Sequence, residues 1–148
     1  MNNPVKVQAT VSRELPFPAH HVWNLLEDFG NIHWAPGIDQ LEIIGEGIGM
    51  IRRLHINGLE EPIDEQLEAM DSQAMTFSYV IPTGLPFPLK NYRAISSLTA
   101  NGNTTTVTWR SDCEPDGLSI EDSEAMLEGT YNQLIDWITD ELNKRHGQ

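Results

Sequence analysis

Apolar and polar residues alternate along much of this chain, which is the pattern of half-buried β-strands. The first alternation covers residues 5–12, where Val5, Val7, Ala9 and Val11 are separated by polar residues. Six further strands are predicted between turn residues, over 41–44, 51–56, 63–70, 76–81, 92–99 and 104–113. Their connections are too short for a parallel crossover, so we expect consecutive strands to pair antiparallel.

Two segments have the spacing of amphipathic helices instead. After the break at Pro16-Phe17-Pro18, the apolar residues within 22–29 predict a short helix that ends at Gly30. The segment over 31–37 is expected to be a connector that could add one further helical turn. Near the end of the chain, Ser119 is a predicted helix cap, and about 26 residues follow it, which gives a helix of about 39 Å. Its apolar stripe consists of Leu127, Tyr131, Leu134, Ile135, Ile138 and Leu142.

This order of elements predicts an α+β fold in a single domain over 1–148. A curved seven-stranded antiparallel sheet would wrap around the long C-terminal helix, with two short helices after the first strand. Sheet and helix can close at their ends and stay apart in the middle, so an internal cavity is expected.

A pair of opposite charges interrupts the apolar pattern. Arg52 shares a strand face with Leu54 and Ile56, and Glu65 lies on an apolar face of the next strand. The Asn57-Gly58 dipeptide between them is typical of a hairpin, so the two charges should oppose each other directly or diagonally. A buried ion must be paired, and the pair therefore indicates a structural lock or the polar end of a cavity. We favour the cavity, with Arg52 as the ligand contact and Glu65 holding it in place.

Composition narrows the possible partners. Nine basic residues stand against 22 acidic ones, a net charge of −13, which disfavours nucleic acid and anionic membrane surfaces. The chain has a single cysteine, Cys113, which excludes an internal disulfide. Residues 1–4 lack the positive start of a signal peptide, and no apolar run is long enough to span a membrane. We therefore expect a cytoplasmic protein, monomeric or homodimeric. No residue cluster has metal-ligand spacing, and no metal or cofactor is expected.

Candidate chemistry is spread over several strands. Tyr79, Tyr92 and Trp109, with Tyr131 from the long helix, could ring a pocket or simply pack in the core. If the protein is an enzyme, Glu65, Tyr92 and His55 are the acid/base candidates. Trp109 is expected to face the interior and Trp34 to lie near the cavity mouth, while Trp137 falls off the main helical stripe.

Short motifs in a fixed order resemble a known superfamily. They are Val22-Trp23 through Phe29-Gly30, Trp34, Pro36, Gly49-Met50-Ile51-Arg52, Gly58, Glu65-Gln66-Leu67, Asp71, Tyr79, Asn91-Tyr92-Arg93 and Trp109. The set resembles the SRPBCC or START-like helix-grip superfamily, which includes Bet v 1-type allergens and plant abscisic acid receptors. The greatest similarity is to its bacterial polyketide cyclase/dehydrase-like branch. Two departures, Asp39 in place of a ligand-binding lysine and the proline-rich 86–90 segment, argue against a hormone receptor.

The resemblance implies a cavity for a small apolar molecule, lined by the sheet and the last helix. The ligand-binding residues it implies, together with the strand faces above, are Trp34, Arg52, Leu54, Glu65, Leu67, Phe77, Tyr79, Tyr92, Ala94, Trp109, Leu127 and Tyr131. The expected gate loops are represented by Asn57, Gly58, Leu59, Leu85, Pro86 and Phe87.

Three functions remain open at this point. The first is binding of a lipid, polyketide or isoprenoid-like molecule in the cavity. The second is a cyclase or dehydratase that acts on such a molecule, with Arg52 stabilising an enolate or carboxylate. The third is a protein-interaction module that displays the apolar loop over 84–90 to a partner. Fold kinship alone does not choose among them.

Overall fold

The computed structural model describes residues 5–147. Residues 1–4, which were considered above as a possible signal segment, and residue 148 lie outside the described residues. The elements are β1 (Thr10–Leu15), α1 (Ala19–Leu26), β2 (Ile38–Ile44), β3 (Ile51–Ile56), β4 (Ile63–Asp71), β5 (Thr76–Thr83), β6 (Leu89–Asn101), β7 (Thr104–Pro115) and α2 (Ile120–His146). The predicted order of the seven strands, with a short helix after the first and a long helix after the last, is confirmed.

All seven strands form one curved antiparallel sheet in the order β1-β7-β6-β5-β4-β3-β2. The first strand begins later than its alternation predicts, because a side-chain oxygen takes a backbone N–H group just before it. Ser111 Oγ accepts from the N–H of Ala9, while the Ser111 N–H still donates to the Ala9 carbonyl, and regular pairing with β7 starts at Thr10. Before that point Val7 forms an isolated bridge with Cys113 of β7.

One regular helix, α1, stands where two short helices were expected. Its last bond joins the Glu27 N–H to the Trp23 carbonyl, and the chain then continues in single turns, such as that from the Ala35 N–H to the Ile32 carbonyl. Pro36 disfavours a helical conformation at the residue before it, and Gly37 has a φ of +91°. The segment over 31–37 is therefore a turn-rich connector, as expected, and its further turn does not extend into a second regular helix.

The long helix α2 spans 27 residues and closes the open side of the sheet. The Ser119 hydroxyl accepts from the Asp122 N–H at 3.0 Å, which confirms the predicted cap. The predicted stripe is fully buried except at Leu134, which is half-buried. The helix packs on β1, β7 and α1, while β3 to β5 curve around the other side of the space it covers.

Candidate functional site

A cavity of about 250 Å³ lies between α2 and the inner face of the sheet. Most of its wall is aliphatic or aromatic, and the only charged side chains among the described residues lining it are Arg52 and Glu65. The predicted ligand-binding residues that reach this wall are Trp34, Arg52, Leu54, Glu65, Tyr79, Tyr92, Trp109 and Tyr131. Trp109 faces the interior as expected, with 1% of its surface exposed.

Arg52 and Glu65 meet inside the cavity. Their Cα atoms are direct partners in the β3–β4 register, and Arg52 Nε donates to Glu65 Oε1 at 2.7 Å. The pairing follows from the hairpin at Asn57-Gly58, which sets both residues on the inner face. The prediction that the two charges oppose each other on one face is confirmed.

The two charged groups differ in how firmly they are held. Arg52 Nη1 also donates to the Phe29 carbonyl at 3.0 Å, and the guanidinium lies over the Phe29 ring at 3.9 Å and near the Tyr79 ring at 5.2 Å. Its side chain is 5% exposed, whereas that of Glu65 is 13% exposed. Arg52 is therefore fixed from several sides, while Glu65 is held by Arg52 and is open to the cavity.

Three phenols complete the polar end of the cavity. The hydroxyls of Tyr92 and Tyr131 are 2.5 Å apart and share a hydrogen bond. Burial raises the pKa of Tyr131 to about 12, and burial followed by the nearby Glu65 charge raises the pKa of Tyr79 well above its ordinary value. Burial also raises the pKa of Tyr92 well above that of a free phenol. All three side chains stay protonated at neutral pH, so they can donate hydrogen bonds but do not act as bases.

Four predicted lining residues do not reach the cavity wall: Leu67, Phe77, Ala94 and Leu127 are buried in the core beside it. Leu67, Phe77 and Ala94 share the inner face of the sheet with the wall residues, and Leu127 lies on the buried stripe of α2. The Phe77 ring packs on Trp23, Phe29, Tyr79 and Trp109 and so fills this end of the sheet.

His55 lies on the outer face of β3 and not in the cavity. Its Nε2 forms a hydrogen bond with Glu42 on β2, because strand alternation turns position 55 away from Arg52 and Leu54. The acid/base role suggested for His55 in this cavity therefore has no geometric basis. Glu65 and Tyr92 are the acid/base candidates that the structure brings to the site.

Sequence reasoning missed half of the wall. The additional lining residues are Ile32, Ala35, Pro36, Ile38, Ile56, Ile63, Ile81, Thr130, Leu134 and Trp137. Three of them, Thr130, Leu134 and Trp137, follow helical spacing beside the buried stripe of α2 and could have been found as a second stripe. Trp137 falls off the main stripe as predicted. Its position around the helix axis, to one side of that stripe, brings its side chain to the cavity.

Two loops meet at the cavity mouth. Leu59 from the β3–β4 loop and Pro86 and Phe87 from the β5–β6 loop line the wall, but the predicted gate residues Asn57, Gly58 and Leu85 do not. The loops touch at Gly84, where a Cβ would lie 1.9 Å from the Pro62 carbonyl oxygen, so this contact requires glycine. Leu89 is 5% exposed, which contradicts the expected display of its side chain.

The described residues contain no group of three His, Cys, Asp or Glu side chains that could hold a metal ion. Over 5–147, we find no helix with both the length and the apolar character that a membrane crossing needs.

Comparison with known proteins supports this architecture. The sequence matches no curated protein, but the family model described as polyketide cyclase / dehydrase and lipid transport matches residues 6–144. An uncharacterized protein from Bacillus thuringiensis is 25% identical, with a TM-score of 0.80 and coverage of 91% of this chain and 98% of that one. A protein from Thermobifida fusca is also 25% identical, with a TM-score of 0.80 and coverage of 95% of each chain.

A plant enzyme shares the same fold at lower identity. Norcoclaurine synthase from Thalictrum flavum, solved as a point mutant with a transition-state analogue, is 16% identical with a TM-score of 0.80, over 98% of this chain and 99% of that one. This likeness confirms the Bet v 1-like helix-grip fold. The family match covers nearly the whole chain, and the protein belongs to the polyketide cyclase/dehydrase and lipid transport family.

Proposed function

We propose that this protein binds a small, largely apolar molecule whose one polar end faces the Arg52–Glu65 pair and the tyrosine hydroxyls. The observation that carries this proposal is a cavity of about 250 Å³ with a mostly aliphatic and aromatic wall and a single buried ion pair. A core that only had to be stable would be expected to contain apolar residues at these two positions, because a buried pair seldom adds stability. The family description, which includes lipid transport, supports the same reading.

The cavity volume limits the size of the ligand. An apolar cavity of about 150 Å³ can hold benzene, and ligand sites commonly begin near 300 Å³. A molecule with one or two rings, or an aliphatic chain of similar volume, fits about 250 Å³ without rearrangement of the wall. Displacement of the two mouth loops would admit larger molecules.

Equilibrium dialysis with naphthalene tests this proposal. Thr130→Phe would place a ring in the cavity, since Thr130 is half-buried on its wall, and we expect it to abolish binding. Ala125→Phe is the matched control, because Ala125 is exposed on the same helix. Equal naphthalene binding by both variants and the wild type would place the bound molecule elsewhere and overturn the proposal.

A second candidate function is acid/base catalysis in the same cavity. It is favoured by Glu65, a carboxylate that is open to an apolar space in which protonated Tyr79 and Tyr92 can donate to a developing oxyanion. A two-ring probe, 5-nitrobenzisoxazole, opens when a base removes one proton. We expect the wild type to accelerate this opening over buffer and Glu65→Gln to remove the acceleration. The same rate with both proteins would argue against a base at Glu65.

The interaction-module function has less support. Leu85 and Phe87 are half-buried and Leu89 is buried, so the loop over 84–90 turns most of its apolar surface towards the protein itself. We do not propose it.

A further inference from the structure

The polar end of the cavity combines one acceptor with several donors. Glu65 Oε1 accepts from Arg52, and among the described residues no other hydrogen bond reaches this carboxylate. Glu65 Oε2 is therefore an acceptor that a ligand can use. Arg52 places Nε on Glu65 and Nη1 on the Phe29 carbonyl, and only its Nη2 has no hydrogen-bond partner among the described residues. Its guanidinium lies against the Phe29 and Tyr79 rings, and its side chain is 5% exposed, against 13% for Glu65.

From this difference we infer that Glu65 is the ligand-binding member of the pair, that Arg52 is a positioning residue, and that the ligand is a neutral molecule presenting a hydroxyl group. The inference rests on the proposed binding function and reverses the roles that the sequence suggested. The hydroxyl would donate to Glu65 Oε2 and accept from a tyrosine hydroxyl. A phenol, an enol or an alcohol on one or two rings has this chemistry.

Charge excludes the alternative of a carboxylate ligand. Arg52 and Glu65 are the only charged side chains among the described residues of the wall, and they neutralise each other. A ligand carboxylate would add a second negative charge beside Glu65 with no free cation to balance it, and burial would strengthen their repulsion. A neutral hydroxyl adds no charge, and it can donate a hydrogen bond to Glu65 Oε2.

The tyrosines supply the complementary donors. One of the two hydroxyl protons of Tyr92 and Tyr131 forms their mutual hydrogen bond, which leaves the other proton available. Glu65 and all three phenols line the same cavity. Burial is the main cause that raises the pKa of Tyr79, Tyr92 and Tyr131, and the Glu65 charge raises each of them further. A ligand oxygen between Glu65 and these phenols can donate and accept at once.

A series of naphthalenes that differ in one substituent tests the inference by isothermal titration calorimetry at pH 7. We expect 2-naphthol to bind at least about tenfold more tightly than 2-methoxynaphthalene, because a hydrogen bond to a charged group is worth that much. The methyl ether is the more apolar of the two, so hydrophobicity alone predicts the opposite order. We expect 2-naphthoate to bind more weakly than 2-naphthol.

Variants assign this preference to Glu65. Glu65→Gln keeps an oxygen for Arg52 but presents an amide donor to the ligand, so the ratio between 2-naphthol and 2-methoxynaphthalene should fall to about threefold or less. Glu68→Gln is the control, since Glu68 lies on the outer face of the same strand and pairs with Arg93. It should keep the wild-type ratio.

The outcomes separate this inference from the function on which it rests. Tightest binding of 2-naphthoate by the wild type, or the same ratio in the Glu65→Gln variant, overturns the inference while cavity binding stands. If naphthalene and all three derivatives fail to bind, the proposed function itself fails. The wild-type rank order decides the question even if Glu65→Gln does not fold.

Discussion

Replacing the two members of the buried ion pair by apolar residues should have unequal effects on stability. Arg52→Met leaves the Glu65 carboxylate without its partner and also removes the 3.0 Å hydrogen bond to the Phe29 carbonyl. Breaking a buried pair in this way costs about 3–5 kcal/mol. Glu65→Leu leaves Arg52 with its bond to Phe29 and its two aromatic neighbours, so its cost should be smaller by about 1.5–3 kcal/mol, the value of a charge-assisted hydrogen bond.

The double variant provides the decisive comparison. Arg52→Met with Glu65→Leu contains no stranded charge, and a methionine can pack on the Phe29 and Tyr79 rings that now cover the guanidinium. Its free energy of unfolding should exceed the value that the two single changes predict by addition, with a coupling of about 2 kcal/mol or more. Binding of 2-naphthol should nevertheless be lost.

Urea unfolding at pH 7, followed by tryptophan fluorescence, measures these free energies. Equal m-values for the four proteins are the control that the unfolding transition itself is unchanged. Additivity of the single changes within about 0.5 kcal/mol, or a greater loss from Glu65→Leu than from Arg52→Met, would refute our account of how the pair is held.

Three further predictions concern other parts of the molecule. The chain has three tyrosines, all buried, so phenolate absorbance should be absent at pH 10.5. The contribution of protonated Tyr131 to the free energy of unfolding is complete below about pH 10 and is lost as the pH rises through about 12. Phenolate absorbance at pH 10 in the folded protein would contradict this prediction. His55→Ala should leave 2-naphthol affinity unchanged in calorimetry, since His55 pairs with Glu42 outside the cavity, and a tenfold loss would show that it acts on the site. Hydrogen exchange in 57–61 and 84–90 should slow when 2-naphthol binds, and equal exchange rates with and without ligand would argue against gating loops.

The sequence predicted those features that depend on strand periodicity and local turns. Alternation placed Arg52 and Glu65 on one face, and the Asn57-Gly58 turn brought β3 and β4 into direct register. The cap at Ser119 followed from its hydroxyl and from the apolar spacing after it. Each of these is a relation between residues that are close in the chain or on adjacent strands.

The cavity wall could be predicted only in part, because its boundary depends on packing between distant segments. Leu67 and Glu65 lie on the same inner face, yet only Glu65 reaches the cavity. Leu67 is instead buried in the core, where the rings of Phe29 and Phe77 also pack on each other. Helical spacing groups Thr130, Leu134 and Trp137 on one side of α2, but contacts of the helix with β1 and β7 decide that this side faces the cavity.

Methyl NMR of isoleucine-labelled protein titrated with 2-naphthol tests the central claim most directly. If the ligand occupies the cavity, the methyl resonances of Ile56 and Ile81 on its wall will shift, while those of Ile44 and Ile95, which lie outside it, will not. Shifts at Ile44 or Ile95 with none at Ile56 and Ile81, or no shifts at saturating 2-naphthol, would contradict the account.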